Sequence, residues 1–207
     1  MRIFRPEPRV GVSLLSWNQY DDTAKCLASL RTLEFRPAII LVFDNGSTDG
    51  SPERLKTAFP EIELVVGGKN LGFAEGNNRA VKRLLDAGMD YVWILNNDTE
   101  VLPDCLGQLV RTLEEDPNMG AVGGKIWFME EHKPICYAGA SFNRLTFRAH
   151  FRGLRDADVG QYDQPGDTEV LSGCCMLIRS TVVRRMGLFN RKLFAYSEDF
   201  DWCLRAR

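Results

Sequence analysis

The stretch Ala38-Ile39-Ile40-Leu41-Val42-Phe43-Asp44-Asn45-Gly46-Ser47-Thr48-Asp49-Gly50-Ser51-Pro52-Glu53 decides the fold. Its opening apolar run has the length of a strand and shows no polar alternation, so it reads as a strand buried on both faces. Asp44-Asn45-Gly46-Ser47 ends the run with turn chemistry. Ser51-Pro52-Glu53 then reads as a helix start, with an N-cap serine, a proline at the first helical position and an acidic first turn.

The same rhythm continues on either side. Val10 to Leu15 is an earlier apolar run that stops at Ser16-Trp17-Asn18, and Cys26, Leu27, Leu30 and Leu33 follow at helical spacing. Ile62 to Val66 reads as a third strand, with Asn70-Leu71-Gly72-Phe73 beyond it and a helix marked by Ala74, Ala80, Val81, Leu84 and Leu85. Tyr91 to Leu95 is a fourth strand ending at Asn96-Asn97-Asp98-Thr99, and Leu106, Leu109, Val110 and Leu113 mark the next helix. Alternating strands and helices predict an α/β fold, a mostly parallel central sheet with helices on both faces. Residues 120–140 look like hairpins, and residues 151–168 lack apolar pattern and are expected to form a mobile loop holding Arg152 and Arg155 beside Arg148. Val170 to Ile178 is expected as a strand, Ser180 to Met186 as a short helix and Ser197 to Arg207 as a last, serine-capped helix.

Composition narrows the function. The chain has 207 residues, 44% of them apolar and 26% charged, as expected of one globular domain spanning residues 1–207. A formal net charge of -2 offers no electrostatic footprint for nucleic acid. No run reaches the ~20 apolar residues of a membrane span, and Met1 to Pro6 lacks the apolar core of a secretory leader. Six scattered cysteines without a C-x-x-C pair read as reduced thiols, so a cytoplasmic location is expected, with peripheral association at the inner face of the membrane allowed. Two isolated histidines argue against zinc. No G-x-G-x-x-G follows the first strand and no P-loop signature is present, which removes most dinucleotide oxidoreductases and P-loop NTPases.

In open parallel sheets ligands bind beyond the carboxyl ends of the strands. The residues there are Ser16, Trp17 and Asn18, then Asp44 and Asn45, then Asn70 and Gly72, then Asn96, Asn97 and Asp98; all are expected to open onto one crevice. Together with Tyr196-Ser197-Glu198-Asp199-Phe200-Asp201, these motifs stand in the order that resembles a family 2 glycosyltransferase of the GT-A fold, in its rhamnosyltransferase-like branch. The resemblance covers roughly residues 9–207.

That resemblance implies an inverting transfer of a sugar from a UDP- or dTDP-sugar to a hydroxyl of a glycan or lipid-linked acceptor, with a divalent metal, Mg²⁺ or Mn²⁺, in cell-surface polysaccharide synthesis. It makes Ser16, Trp17, Asn18, Asp44, Asn45, Asn70, Gly72, Asn96 and Asn97 the donor-binding set. Asp44 matches the nucleotide-contacting aspartate, although Asp-Asn-Gly is also strong turn chemistry. Asp98 matches the metal ligand; the commoner D-x-D offers two carboxylates there, whereas Asn96 can supply only a neutral oxygen. Glu198-Asp199 matches the base motif, with Asp199 as base and Glu198 holding the acceptor or a neighbouring side chain. Asp44, Asp98 and Asp199 are then expected to converge around one cation-bound diphosphate. The abrupt stop at Arg207 raises the expectation of a chain cut short at its C-terminus. It also motivates a rival reading, a catalytically silent nucleotide-sugar or glycan-binding domain. A sugar nucleotidyltransferase is less favoured, because Ser16-Trp17-Asn18 is neither glycine-rich nor basic.

Overall fold

The computed structural model describes residues 7–146 and 148–206. The leader reading of Met1 to Pro6 and the last residue of the expected final helix, Arg207, lie outside the described residues. Strands β1 (Val10–Ser16), β2 (Ile39–Asp44), β3 (Glu63–Val66) and β4 (Tyr91–Asn96) are parallel. They lie in a six-stranded sheet of order β3-β2-β1-β4-β10-β5. Helices α1 (Tyr20–Leu30), α2 (Ser51–Ala58), α3 (Gly72–Asp86) and α4 (Cys105–Glu115) connect and follow them.

Both faces of the sheet are covered. Along β4, Tyr91, Trp93 and Leu95 join the core formed with Leu27 and Leu30 of α1 and Leu109 and Leu113 of α4. Val92 and Ile94 point the other way, into the core formed with Ala80 and Leu84 of α3 and Trp202. Helix α3 can lie close to β1 because the strand offers small residues on that face. A methyl group on Gly11 would stand 2.7 Å from Leu84, and one on Gly76 would stand 2.5 Å from Leu15. Between them the Ser13 hydroxyl donates to Asn77 Oδ1 at 3.2 Å, which satisfies both buried polar groups.

Strand β10 (Cys175–Arg179) runs antiparallel to β4, and β5 (Ala121–Gly123) antiparallel to β10. The strand expected from Val170 is therefore shorter. The Cys175 N–H bonds back to the Ser172 carbonyl and the Gly173 N–H bonds to a side chain, so neither is free for a sheet ladder. A small ribbon of β6 (Ile126–Trp127) with β7 (Ile135–Tyr137) falls in the region expected to form hairpins, and a second, β8 (Ala140–Asn143) with β9 (Arg148–Phe151), follows beyond it. Helices α5 (Ser180–Met186) and α6 (Glu198–Ala206) close the chain.

Two further local expectations change. Ser51 is the first helical residue, preceded by Gly50 at φ +79°, and the capping oxygens come from Asp49, which accepts from the Ser51 N–H at 3.0 Å and hydroxyl at 2.7 Å. Residues 151–168 are tethered rather than loose. Lys125 pairs with Asp158 at 2.7 Å, Trp127 Nε1 donates to Asp158 at 2.6 Å, and Arg152 donates to the Asp167 carbonyl at 2.7 Å. Arg155 is likewise engaged, by Glu130 at 2.6 Å and by the Phe128 ring at 4.1 Å.

Candidate active site

Register places the polar strand ends. Ser16 stands opposite Asp44 across the β1–β2 pair, and Leu15 stands opposite Asn96 across β1–β4. The carboxyl ends thus finish level, and beyond them lies a hollow of about 600 Å³. Trp17, Asn18, Asn45, Asn70, Gly72, Asn96, Asn97 and Asp98 line it, eight of the expected residues. Leu15, Gln19, Phe73, Phe194, Ala195 and Tyr196 complete the wall.

Asparagines build the rim. Asn18 sits in the left-handed region at φ +53°, where asparagine is better tolerated than most residues. There its backbone N–H donates to the Ser47 hydroxyl at 2.8 Å and its Oδ1 accepts from the Thr48 N–H at 2.9 Å. Asn45 donates to Asn70 Oδ1 at 2.9 Å and accepts from the Leu71 N–H at 2.9 Å. These bonds fix the start of α3. Gly72, at φ +79°, is required there, because a Cβ would meet the Phe194 carbonyl oxygen at 2.3 Å. That same carbonyl accepts from the Phe73 N–H at 2.7 Å, docking the Phe194–Tyr196 wall on the helix.

A buried hydroxyl relay ties β1 and β4 to α1. The Thr23 hydroxyl donates to the Gln19 carbonyl at 2.7 Å and lies 3.0 Å from Ser16 Oγ and 2.9 Å from Asn97 Nδ2. Its single proton is committed to Gln19, so Ser16 must be the donor to it. Ser16 is fully buried in this relay and does not line the hollow, contrary to expectation.

Asp44 also departs from expectation. It is fully buried, its Oδ1 accepts from the N–H groups of Gly46 at 3.1 Å and Ser47 at 2.9 Å, and its Oδ2 accepts from the Ser47 hydroxyl. The carboxylate builds the turn and does not line the hollow, so Asp98 is the one member of the expected acidic trio among the hollow's described lining residues. Asp98, by contrast, is exposed on its floor.

Neither Asp199 nor Glu198 lines the hollow; Asp199 is tied beside its Phe73 wall through a short loop. Gly173 donates its N–H to Asp199 Oδ2 at 2.9 Å, and the next carbonyl, of Cys174, accepts from the Asn96 N–H at 3.0 Å. One dipeptide therefore holds both the end of β4 and the late carboxylate. A side chain on Gly173 would stand 3.5 Å from the Phe73 ring and 3.6 Å from Asp199 Oδ2, so hollow wall and carboxylate flank the same glycine. Glu198 points inward, 5% exposed, and its Oε2 has no hydrogen-bond partner among the described residues. Burial raises its pKa above the usual carboxylate range, and the charge of Asp199 beside it acts the same way.

A cation at this site would find oxygen donors only. Among the described residues no three His, Cys, Asp or Glu side chains form a metal-binding group. Asp98 offers a solvent-facing carboxylate, and the buried Oδ1 of Asn96 is unpartnered. One carboxylate, with substrate phosphates filling the remaining positions, suits Mg²⁺ or Mn²⁺. The neighbouring Cys26 thiol is fully buried against the Asn96 carbonyl and does not line the hollow. No disulfide links the cysteines among the described residues.

The model of glycosyl transferase family 2 matches residues 12–187. The chain belongs to that family. Over 192 residues it is 30% identical to an N-acetylglucosaminyl-diphospho-decaprenol L-rhamnosyltransferase of Mycobacterium tuberculosis, covering 84% of this chain and 62% of that protein. The low-salt glycan biosynthesis hexosyltransferase Agl10 of Haloferax volcanii is 28% identical over 171 residues, covering 82% and 53%. The family 2 chain thus spans between half and two thirds of the length of these relatives. A mannosyltransferase of Pyrobaculum calidifontis, solved with GDP-Man and Mn2+, superposes with a TM-score of 0.64 at 19% identity, covering 93% of this chain and 50% of that one. Staphylococcus aureus TarS 1-349 gives 0.62 at 17% identity, covering 96% and 55%. The fold is GT-A.

The sequence did not single out Thr23 or the hollow-lining side chains Gln19 and Phe194. Thr23 carries a signal: it is a polar residue on the same helical face as Cys26, Leu27 and Leu30.

Proposed function

We propose that this family 2 chain is an inverting glycosyltransferase that moves a sugar from a UDP- or dTDP-sugar to a hydroxyl of a glycan or lipid-linked acceptor, in cell-surface polysaccharide synthesis at the cytoplasmic face of the membrane. The observation that carries this reading is the Gly173-Cys174 link between Asn96, two residues from Asp98, and Asp199. Support also comes from the relatives, whose names describe transfer to a diphospho-decaprenol carrier in one case and glycan biosynthesis in another.

Trp17 and the rim asparagines would receive the nucleotide and sugar, with the amides of Asn18 and Asn45 already oriented by their bonds. Asp98 would hold the divalent cation, whose charge neutralises the departing diphosphate when bound. The acceptor hydroxyl oxygen forms its bond to the anomeric carbon as the carbon–oxygen bond to the diphosphate breaks. Its proton passes to Asp199, whose carboxylate is aimed by the N–H groups of Gly173 and Phe200. Glu198, 5% exposed and next to Asp199 in the chain, is suited to positioning.

Turnover of nucleotide-sugar donors, with and without Mn²⁺, tests this. Asp199→Asn lowers transfer by about 10²–10⁴-fold while donor binding persists. Full turnover in that variant removes Asp199 as base. Donor binding without nucleotide release in the native chain favours a silent binding domain.

A further inference from the structure

Residues 180–197 contain Arg184, Arg185, Arg191 and Lys192 and no Asp or Glu. The chain as a whole has a formal net charge of -2, so these cations are segregated in a molecule otherwise net negative. Among the described residues none of the four has a carboxylate partner within ion-pair distance. Arg184 is tied to the Leu85 carbonyl, and the other three are exposed with no such tether.

This segment is firmly seated. Leu188 and Phe189 are buried in the core, and Phe189 exchanges two bonds with the Asn78 side chain, at 2.8 and 3.0 Å. From that anchor the chain makes a turn closed by the Leu193 N–H on the Asn190 carbonyl at 2.9 Å, which puts Arg191 and Lys192 at its two central positions. Immediately after it stand Phe194, 61% exposed, and Tyr196, 87% exposed, both on the rim of the hollow. Tyr196 and Ser197 are held at φ +71° and +68°, a backbone arrangement that costs free energy and leaves the tyrosine ring projecting rather than packed.

Exposed cations next to exposed aromatic rings are the combination that binds a bilayer surface. The cations meet anionic headgroups, and amphipathic rings settle at the headgroup boundary. We propose that residues 185–196 form a docking face for a membrane surface carrying anionic lipid. Docking there brings the mouth of the hollow against the bilayer. The value of that placement for a lipid-linked acceptor rests on the proposed function; the docking itself does not, and it is read without turnover.

The test is co-sedimentation of the full chain with vesicles of phosphatidylcholine alone or with about a third phosphatidylglycerol, at low and high salt. The native chain binds the anionic vesicles, weakens with salt and ignores the neutral ones. The triple variant Arg185→Gln, Arg191→Gln, Lys192→Gln loses on the order of a hundredfold in partitioning, and Arg191→Gln alone about fivefold. Both variants keep native thermal unfolding and native binding of UDP. Equal binding to both vesicle types, absence of binding by the native chain, or undiminished partitioning of the triple variant overturns the proposal. Loss of UDP binding in the triple variant also overturns it and assigns the cations to a soluble diphosphate instead.

Discussion

The parallel strands β1, β2 and β4 deliver their polar residues by register, whereas the later half of the chain delivers Asp199 by tethering. In the first region three strands end level, and the side chains just past them share one rim because neighbouring strands are hydrogen-bonded in step. In the second, Asp199 sits in the first turn of a helix reached through two left-handed residues, and its placement depends on a bond to Gly173 and on the wall docked at Phe73. A site built by register is hard to displace locally. One built by tethers moves when one tether is cut.

That contrast can be broken at its junction. Gly72→Ala forces a Cβ into the Phe194 carbonyl and imposes a left-handed φ on alanine. It is expected to cost about 3 kcal/mol, lowering Tm by roughly 6–12 °C in a chain of this size. Donor binding should fall with it, because the Phe194–Tyr196 wall lifts away; an unchanged Tm by calorimetry would show that the wall is not locked by this glycine.

A smaller change sharpens the register side. Thr23→Val keeps the shape but leaves Ser16 and Asn97 without their shared partner. A loss of about 2 kcal/mol, or roughly 4–8 °C, is expected by thermal unfolding. Donor affinity should change little, since the strand ends stay in register.

The smallest effect has the opposite sign. Glu198 has its pKa raised in the fold above the ordinary 4.5, so the folded state holds a proton that the unfolded state releases. Stability then falls as pH rises from about the unfolded value through the folded one, and the penalty is complete above both. Glu198→Gln removes the buried charge and should raise Tm at neutral pH by about 2–4 °C while flattening that slope. A lowered Tm at neutral pH would mean that the ionised carboxylate is stabilised in the fold.

The sequence was most legible where local signals and tertiary demands agree. Apolar runs such as Ile39 to Phe43, bounded by turn residues, read as buried strands, and the polar groups ending them lie at one edge of the sheet. Asp44 shows the limit. Its identity is equally suited to a turn and to a ligand, and only the three donors around its carboxylate decide for the turn. Residues 151–168 looked loose because they lack apolar periodicity, yet their order comes from long-range polar bonds such as Lys125 to Asp158, which leave no local pattern. The short β10 was hidden for a related reason: Val170 to Ile178 is continuous in hydropathy, but the donors at Gly173 and Cys175 are spent elsewhere.

The most direct measurement is calorimetric titration of UDP and of dTDP into the native chain and into Asp98→Asn, each with and without Mn²⁺. The proposed site predicts cation-dependent binding of at least one nucleotide by the native chain and loss of the cation dependence in the variant. Binding of neither nucleotide, or binding equally strengthened by Mn²⁺ in both proteins, would contradict the placement of the donor and its cation at the carboxyl edge of the sheet.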